Sequence, residues 1–134
     1  MTKSDNTGLV LSFFESFNAG DAEAAFALLD EEAVWWVAGK PDRFPLAGDY
    51  DKDGLLRLLG TVGQAMPNGV DLKVTSTTTQ DDRVVVEAES HGVSAAGKVY
   101  DQRIIYVFQL HDGKIRQVRE YLDTQHAVDV LVTG

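Results

Sequence analysis

The sequence predicts an α+β domain in which three N-terminal helices pack on one face of a curved antiparallel sheet and enclose a pocket. Three observations carry this. Up to Ala65 the apolar residues recur at helical spacing. From Val70 onward they alternate along four long runs, and turn-forming clusters separate those runs. Helices first and a meander after them imply helices packed on a single sheet.

The elements follow in order. Leu9, Val10, Phe13, Phe14 and Phe17 fall on one helical side, after the cap candidates Ser4, Asp5 and Thr7. Asn18-Ala19-Gly20 stops that helix. Asp21 caps a second, which carries Ala22, Ala25, Phe26, Leu28 and Leu29. Residues 33–37 read as a short strand holding Trp35 and Trp36. Residues 39–48, with Pro41 and Pro45, read as a loop. A third helix spans about 52–65 on Leu55, Leu56, Leu58, Leu59 and Val62, although Gly54, Gly60 and Gly63 weaken it. Strands are expected at 70–79, 83–93, 98–110 and 114–122, with turns near Gln80-Asp81-Asp82, Ser94-Ala95-Ala96-Gly97 and His111-Asp112-Gly113. Strands this long twist and curl, and a curled sheet closed by helices forms a cone with room for a ligand.

Bulk properties narrow the function. At 134 residues the chain fits one domain, 1–134, with a core large enough to stand without staples. The absence of cysteine excludes disulfides, thiolate nucleophiles and Cys-ligated metals. A net charge of −9 repels phosphate backbones, and no basic stripe with interleaved aromatics is present, so nucleic acid is not an expected partner. No apolar run approaches the ~20 residues of a membrane span, and the first residues hold no apolar leader segment, so no membrane partner and a cytoplasmic location are expected. His91, His111 and His126 lack metal-ligand spacing, so neither a metal nor another cofactor is expected.

Four segments resemble the nuclear transport factor 2-like superfamily, in its SnoaL-like and ketosteroid-isomerase-like branch. They are Phe13-Phe14-Glu15-Ser16-Phe17-Asn18-Ala19-Gly20-Asp21, then Leu28-Leu29-Asp30-Glu31-Glu32-Ala33-Val34-Trp35, then Pro45-Leu46-Ala47-Gly48-Asp49-Tyr50, and finally Asp112-Gly113-Lys114-Ile115 with Arg119-Glu120-Tyr121-Leu122-Asp123-Thr124. The resemblance implies a cone-shaped fold but names no reaction, since this scaffold carries isomerases, cyclases, epoxide hydrolases, dehydratases and non-catalytic domains. A ketosteroid isomerase would need an acid ending the first strand, plus a tyrosine and a protonated acid as oxyanion donors. Those positions align with Val37, Phe13 and residues 102–105, which hold no acid, so that mechanism is excluded. The limonene-epoxide-hydrolase pattern of two aspartates bridged by arginine aligns with Asp123, Glu89 and, in place of the arginine, Glu87; Arg103 or Arg119 would have to substitute. The SnoaL-type cyclases rely on one acid at the position of Asp123, and the chain departs least from them.

Strand parity supplies the candidate site. Ile115, Gln117, Arg119, Tyr121 and Asp123 share one face, which aims Asp123 at the pocket; a cap on residues 124–127 is an equal reading of Asp123, and the two are compatible. Glu87, Glu89 and His91 share a face opposite Val84, Val86, Ala88 and Ser90. That polar face points to solvent, or else Glu89 and His91 line the cone's mouth beside Asp123. Asp123, Glu89 and His91 are therefore the candidate catalytic residues. Phe13 (or Phe14), Trp36, Tyr50, Tyr106 and Tyr121 are the candidate pocket wall. The expected function is binding of a small, largely apolar organic molecule, with cofactor-independent acid–base catalysis of cyclase, hydrolase or isomerase type. The alternative is a non-catalytic ligand-binding or dimerising accessory domain. A homodimer is expected through the sheet face away from the helices, supplied by residues 83–90 and 99–107.

Overall fold

The structure is a computed structural model and describes residues 3–133. Its elements run α1 (Lys3–Asn18), α2 (Ala22–Ala27), β1 (Leu29–Val37), β2 (Gly48–Tyr50), α3 (Lys52–Ala65), β3 (Val70–Gln80), β4 (Arg83–Val93), β5 (Val99–His111), β6 (Lys114–Tyr121) and α4 (Thr124–Ala127). A π-helical turn, Val128–Val132, continues α4. The three expected helices and four long strands are present, and α4 is the segment that the cap reading of Asp123 implied. Strand β2 was not foreseen, and the second helix ends before Leu28 and Leu29, with β1 starting at Leu29. The start of α1 differs too. It lies at Lys3, so Asp5 and Thr7 sit inside the first turns rather than capping them. Thr7 instead meets Thr79 hydroxyl to hydroxyl at 2.7 Å, and buried Asn6 donates to the Asp81 carbonyl at 3.3 Å, tying the helix to the β3–β4 turn.

Six strands form one sheet in the order β2-β1-β6-β5-β4-β3. Neighbours are antiparallel except β1 and β6, which run parallel. The β5–β6 hairpin closes through Asp112 and Gly113, with φ of 49° and 74°. That pair of left-handed residues is the turn whose twist matches the flanking strands. The inward face of β4 and β5 follows strict alternation and is mostly apolar, with Val84, Val86 and Ala88 on one and Ile104, Tyr106, Phe108 and Leu110 on the other, while Ser90 and Gln102 continue it as buried polar residues. Phe13 and Phe14 of α1 pack onto it edge-to-face, Phe14 meeting Tyr106 at 5.2 Å and Phe108 at 5.6 Å between ring centres.

Strand β6 breaks the alternation. Gln109 pairs with Gln117 and Leu110 with Ile115, so Arg116 is an extra residue with no partner on β5. Such a bulge re-aims every side chain beyond it. Ile115 points inward, and after Arg116 the inward positions become Val118, Glu120 and Leu122, with Ile115 and Val118 essentially inaccessible. The regular-strand expectation that Arg119, Tyr121 and Asp123 face the pocket is thereby inverted.

Among the described residues no helix is long and apolar enough to cross a membrane.

Candidate functional site

Between the sheet and the helices lies a cavity of about 130 Å3. Its wall is almost entirely apolar. α1 contributes Phe13, Phe14 and Phe17, α3 contributes Leu55, Leu58, Leu59 and Val62, and β1 contributes Trp35 and Val37. Among the described residues the only polar side chains on the wall are Ser90, Tyr100, Tyr106 and Glu120, besides the indole N–H of Trp35. Glu120 is the single ionisable acid among them.

Cross-strand register explains how the acid comes to be there. Glu120 pairs with Tyr106 on β5 and with Val37 on β1, and Tyr106 in turn pairs with Val86 on β4. The carboxylate therefore sits in the middle of an apolar row on the inner face of a six-stranded sheet. Its Oε1 accepts the indole N–H of Trp35 at 2.9 Å, whereas Oε2 has no hydrogen-bonding partner among the described residues. Burial disfavours the ionised form and raises the pKa from an ordinary 4.5 to about 7, with the Trp35 hydrogen bond opposing the rise. No cation among the described residues offsets it. Arg119 is turned away and donates to Gln117 at 3.1 Å, and Arg103 pairs in register with Glu89 on the outer face.

Two phenols share the cavity with this acid. Tyr106 and Tyr100 are both buried, and both have pKa values pushed up first by burial and then by the negative charge of Glu120. They therefore remain protonated donors at neutral pH. The Tyr106 hydroxyl has no partner among the described residues, so it is free to donate to a ligand.

The candidate residues from the sequence separate into two sets. Phe13 and Tyr106 lie on the cavity wall. Asp123 does not. Its carboxylate caps α4 by accepting the His126 N–H at 3.0 Å, and its backbone is clasped by the buried Gln102 side chain, which donates to the Asp123 carbonyl at 2.7 Å and accepts its N–H at 3.1 Å. Glu89 and His91 are exposed on the sheet face away from the helices, the solvent-facing alternative for that polar run. Tyr121 is 42 % exposed on that same outer face, where Trp36 packs edge-on to it at 5.3 Å. Trp35 rather than Trp36 turns inward, because the inward set of β1 is Ala33, Trp35 and Val37. Tyr50 lies beside the cavity but not on its wall, its hydroxyl donating to the Leu46 carbonyl at 2.7 Å. His126 stacks flat on the cavity residue Tyr100, with ring planes 7° apart, and its Nε2 accepts the Asp101 N–H at 3.0 Å. This pins α4 to the part of β5 that β6 does not reach.

Sequence reasoning missed Glu120 and Trp35. The available signal was Val118-x-Glu120-x-Leu122, an acid flanked at strand spacing by two apolar residues, which only a bulge upstream could aim inward.

With this geometry in hand, the chain matches the model of the SnoaL-like domain family over residues 10–118. It belongs to the SnoaL-like domain family. Among solved structures, an NTF2-like protein of unknown function from Burkholderia pseudomallei superposes with a TM-score of 0.86 at 16% identity, covering 98% of this chain and 99% of that one. TerC, crystallised with polyporic acid, gives a TM-score of 0.84 at 20% identity over 95% and 98% of the two chains. A protein from Jannaschia described as a SnoaL-like polyketide cyclase gives 0.80 at 17% identity over 98% and 94%. At these identities the likeness establishes the NTF2-like fold of this SnoaL-like domain. Among curated proteins none matches it in sequence.

Proposed function

We propose that this SnoaL-like domain binds a small, largely apolar organic molecule in its cone cavity and acts on it by acid–base chemistry centred on Glu120. The observation that carries the reading is a lone carboxylate, held by Trp35 and raised to about 7, in the middle of an apolar cavity. A general base is most effective when its pKa lies near working pH, and burial is how a carboxylate reaches that range. Oε2 would take a proton from carbon beside a ligand carbonyl, and the developing enolate oxygen would accept the Tyr106 or Tyr100 hydroxyl. For isomerisation Glu120 would return the proton to a second carbon. For intramolecular cyclisation the enolate carbon would add to a second carbonyl of the ligand, opening its C=O π bond, and Glu120 would give the proton to the alkoxide oxygen. The polyketide cyclase description of the Jannaschia protein and the polyporic acid crystallised with TerC support a small organic ligand for the cone.

The test is exchange of the acidic C–H hydrogens of small aromatic ketones in heavy water, followed by proton NMR. The wild-type protein should accelerate exchange, and Glu120→Gln should reduce it by about a hundredfold or more. Equal rates in the two proteins would contradict the assignment.

We also propose that two copies pair through the outer sheet face. Val34, Ile105 and Tyr121 are exposed there at 36 to 43 %, beside the half-buried Trp36. Exposed apolar residues on one continuous sheet face favour a covering partner.

A further inference from the structure

We infer that the cavity selects uncharged molecules of single-ring size bearing a carbonyl, and excludes carboxylates and ammonium ions of the same shape. This deepens the proposed function, since it rests on the same cavity and the same acid.

Size is the first argument. A void of about 130 Å3 is close to the ~150 Å3 apolar cavity known to take up benzene, and well below the pockets of several hundred Å3 that hold larger organic ligands. One aromatic ring with a short substituent fills it. The rings of Phe14 and Trp35, both set edge-on to Tyr106, give the wall aromatic surface that suits an aromatic guest.

Charge is the second. Among the described residues no lysine, arginine or histidine lies on the wall, so an anionic guest would be desolvated with no cation to meet it and with Glu120 nearby. An ammonium guest could pair with Glu120 and reach the hydroxyls of Ser90, Tyr100 and Tyr106, but it would shed its water in an otherwise apolar chamber, a desolvation cost that exceeds what the buried pair returns. A neutral carbonyl compound meets neither penalty. Its oxygen accepts the unpartnered Tyr106 hydroxyl, and its polarised C–H faces Oε2 of Glu120.

The experiment measures binding to the full chain by ligand-observed NMR at about pH 8, using toluene, acetophenone, benzoate, benzylammonium and 2-acetylnaphthalene as probes. Acetophenone is expected to bind at least about tenfold more tightly than benzoate or benzylammonium, and more tightly than toluene. Tyr106→Phe should erase the advantage of acetophenone over toluene while toluene still binds, which separates lost hydrogen bonding from lost folding. Glu120→Gln should raise benzoate affinity, because the repelling charge is gone. Benzoate or benzylammonium binding as tightly as acetophenone would overturn the inference while leaving the cavity intact as a ligand site. 2-Acetylnaphthalene binding where acetophenone does not would overturn the size argument in the same way. Failure of all five probes would remove the ligand-binding reading itself.

Discussion

Trp35 and Glu120 meet on the inner face of two parallel neighbouring strands, the indole Nε1–H of Trp35 donating to Oε1 of Glu120 at 2.9 Å. The contact does two things at once. It gives the buried acid one hydrogen bond that favours its ionised form, and it fixes the carboxylate so that the second oxygen is left for the cavity. An acid this desolvated destabilises the folded chain whenever it is charged, and that cost has a measurable pH signature.

Glu120 has a folded pKa of about 7 against an ordinary 4.5. Between those values the native protein keeps a proton that the unfolded chain has lost, so stability falls as pH rises through the window. The total is about 3 kcal/mol, from roughly 1.4 kcal/mol per unit. Glu120→Gln removes that dependence. Chemical denaturation should show the variant gaining on wild type by about this amount between about pH 4.5 and about pH 8. Parallel stability curves for the two proteins would mean that the acid is solvated.

Trp35→Phe keeps an aromatic wall but deletes the donor. The hydrogen bond lowers the Glu120 pKa, so its loss should raise that pKa further and shift the alkaline rise of any exchange activity to higher pH. A hydrogen bond to a charged group contributes about 1.5–3 kcal/mol, and a loss of that order is expected at about pH 8, where Glu120 is ionised. An unmoved pH profile would place Glu120 outside the chemistry.

Asp123 should behave as a helix cap. Asp123→Ala is expected to destabilise the fold by about 1 kcal/mol in thermal unfolding, whereas Asp123→Asn, an equally good cap, should be near neutral. Ketone exchange should survive the Asn replacement. A hundredfold loss with Asn would return the acid–base role to Asp123.

The proposed pairing of two copies predicts a sedimentation mass near twice that of the chain at tens of micromolar. Tyr121→Lys, on the outer face, should shift the protein toward monomer without altering the cavity. A wild-type monomer at that concentration would contradict it.

How much of this was legible in the sequence depends on where strand geometry is regular. The alternation of Val84-x-Val86-x-Ala88 and of Ile104-x-Tyr106-x-Phe108 survives unbroken, so which residues share a face followed from counting by two. The count left open which face met the cavity, and Glu89 and His91, candidates for its mouth, point outward. The same count failed on β6, because Arg116 adds one residue and exchanges the two faces beyond it. That single residue moved the acid of interest from Asp123 to Glu120. On β1 the adjacent tryptophans offered either parity, and only the packing of Ala33 and Val37 selects Trp35. The cap role of Asp123 was visible as one of two alternatives, while the Gln102 clasp that holds its backbone spans 21 positions and left no local trace.

The central claim is that Glu120 is the proton-transferring group of an apolar ligand cavity, and a carboxyl carbon NMR titration tests it most directly. With side-chain carboxyls labelled and Glu120 assigned by comparison with Glu120→Gln, its resonance should titrate near 7 and should move when acetophenone is added. A Glu120 resonance titrating in the ordinary carboxylate range and unmoved by the ketone would contradict the account.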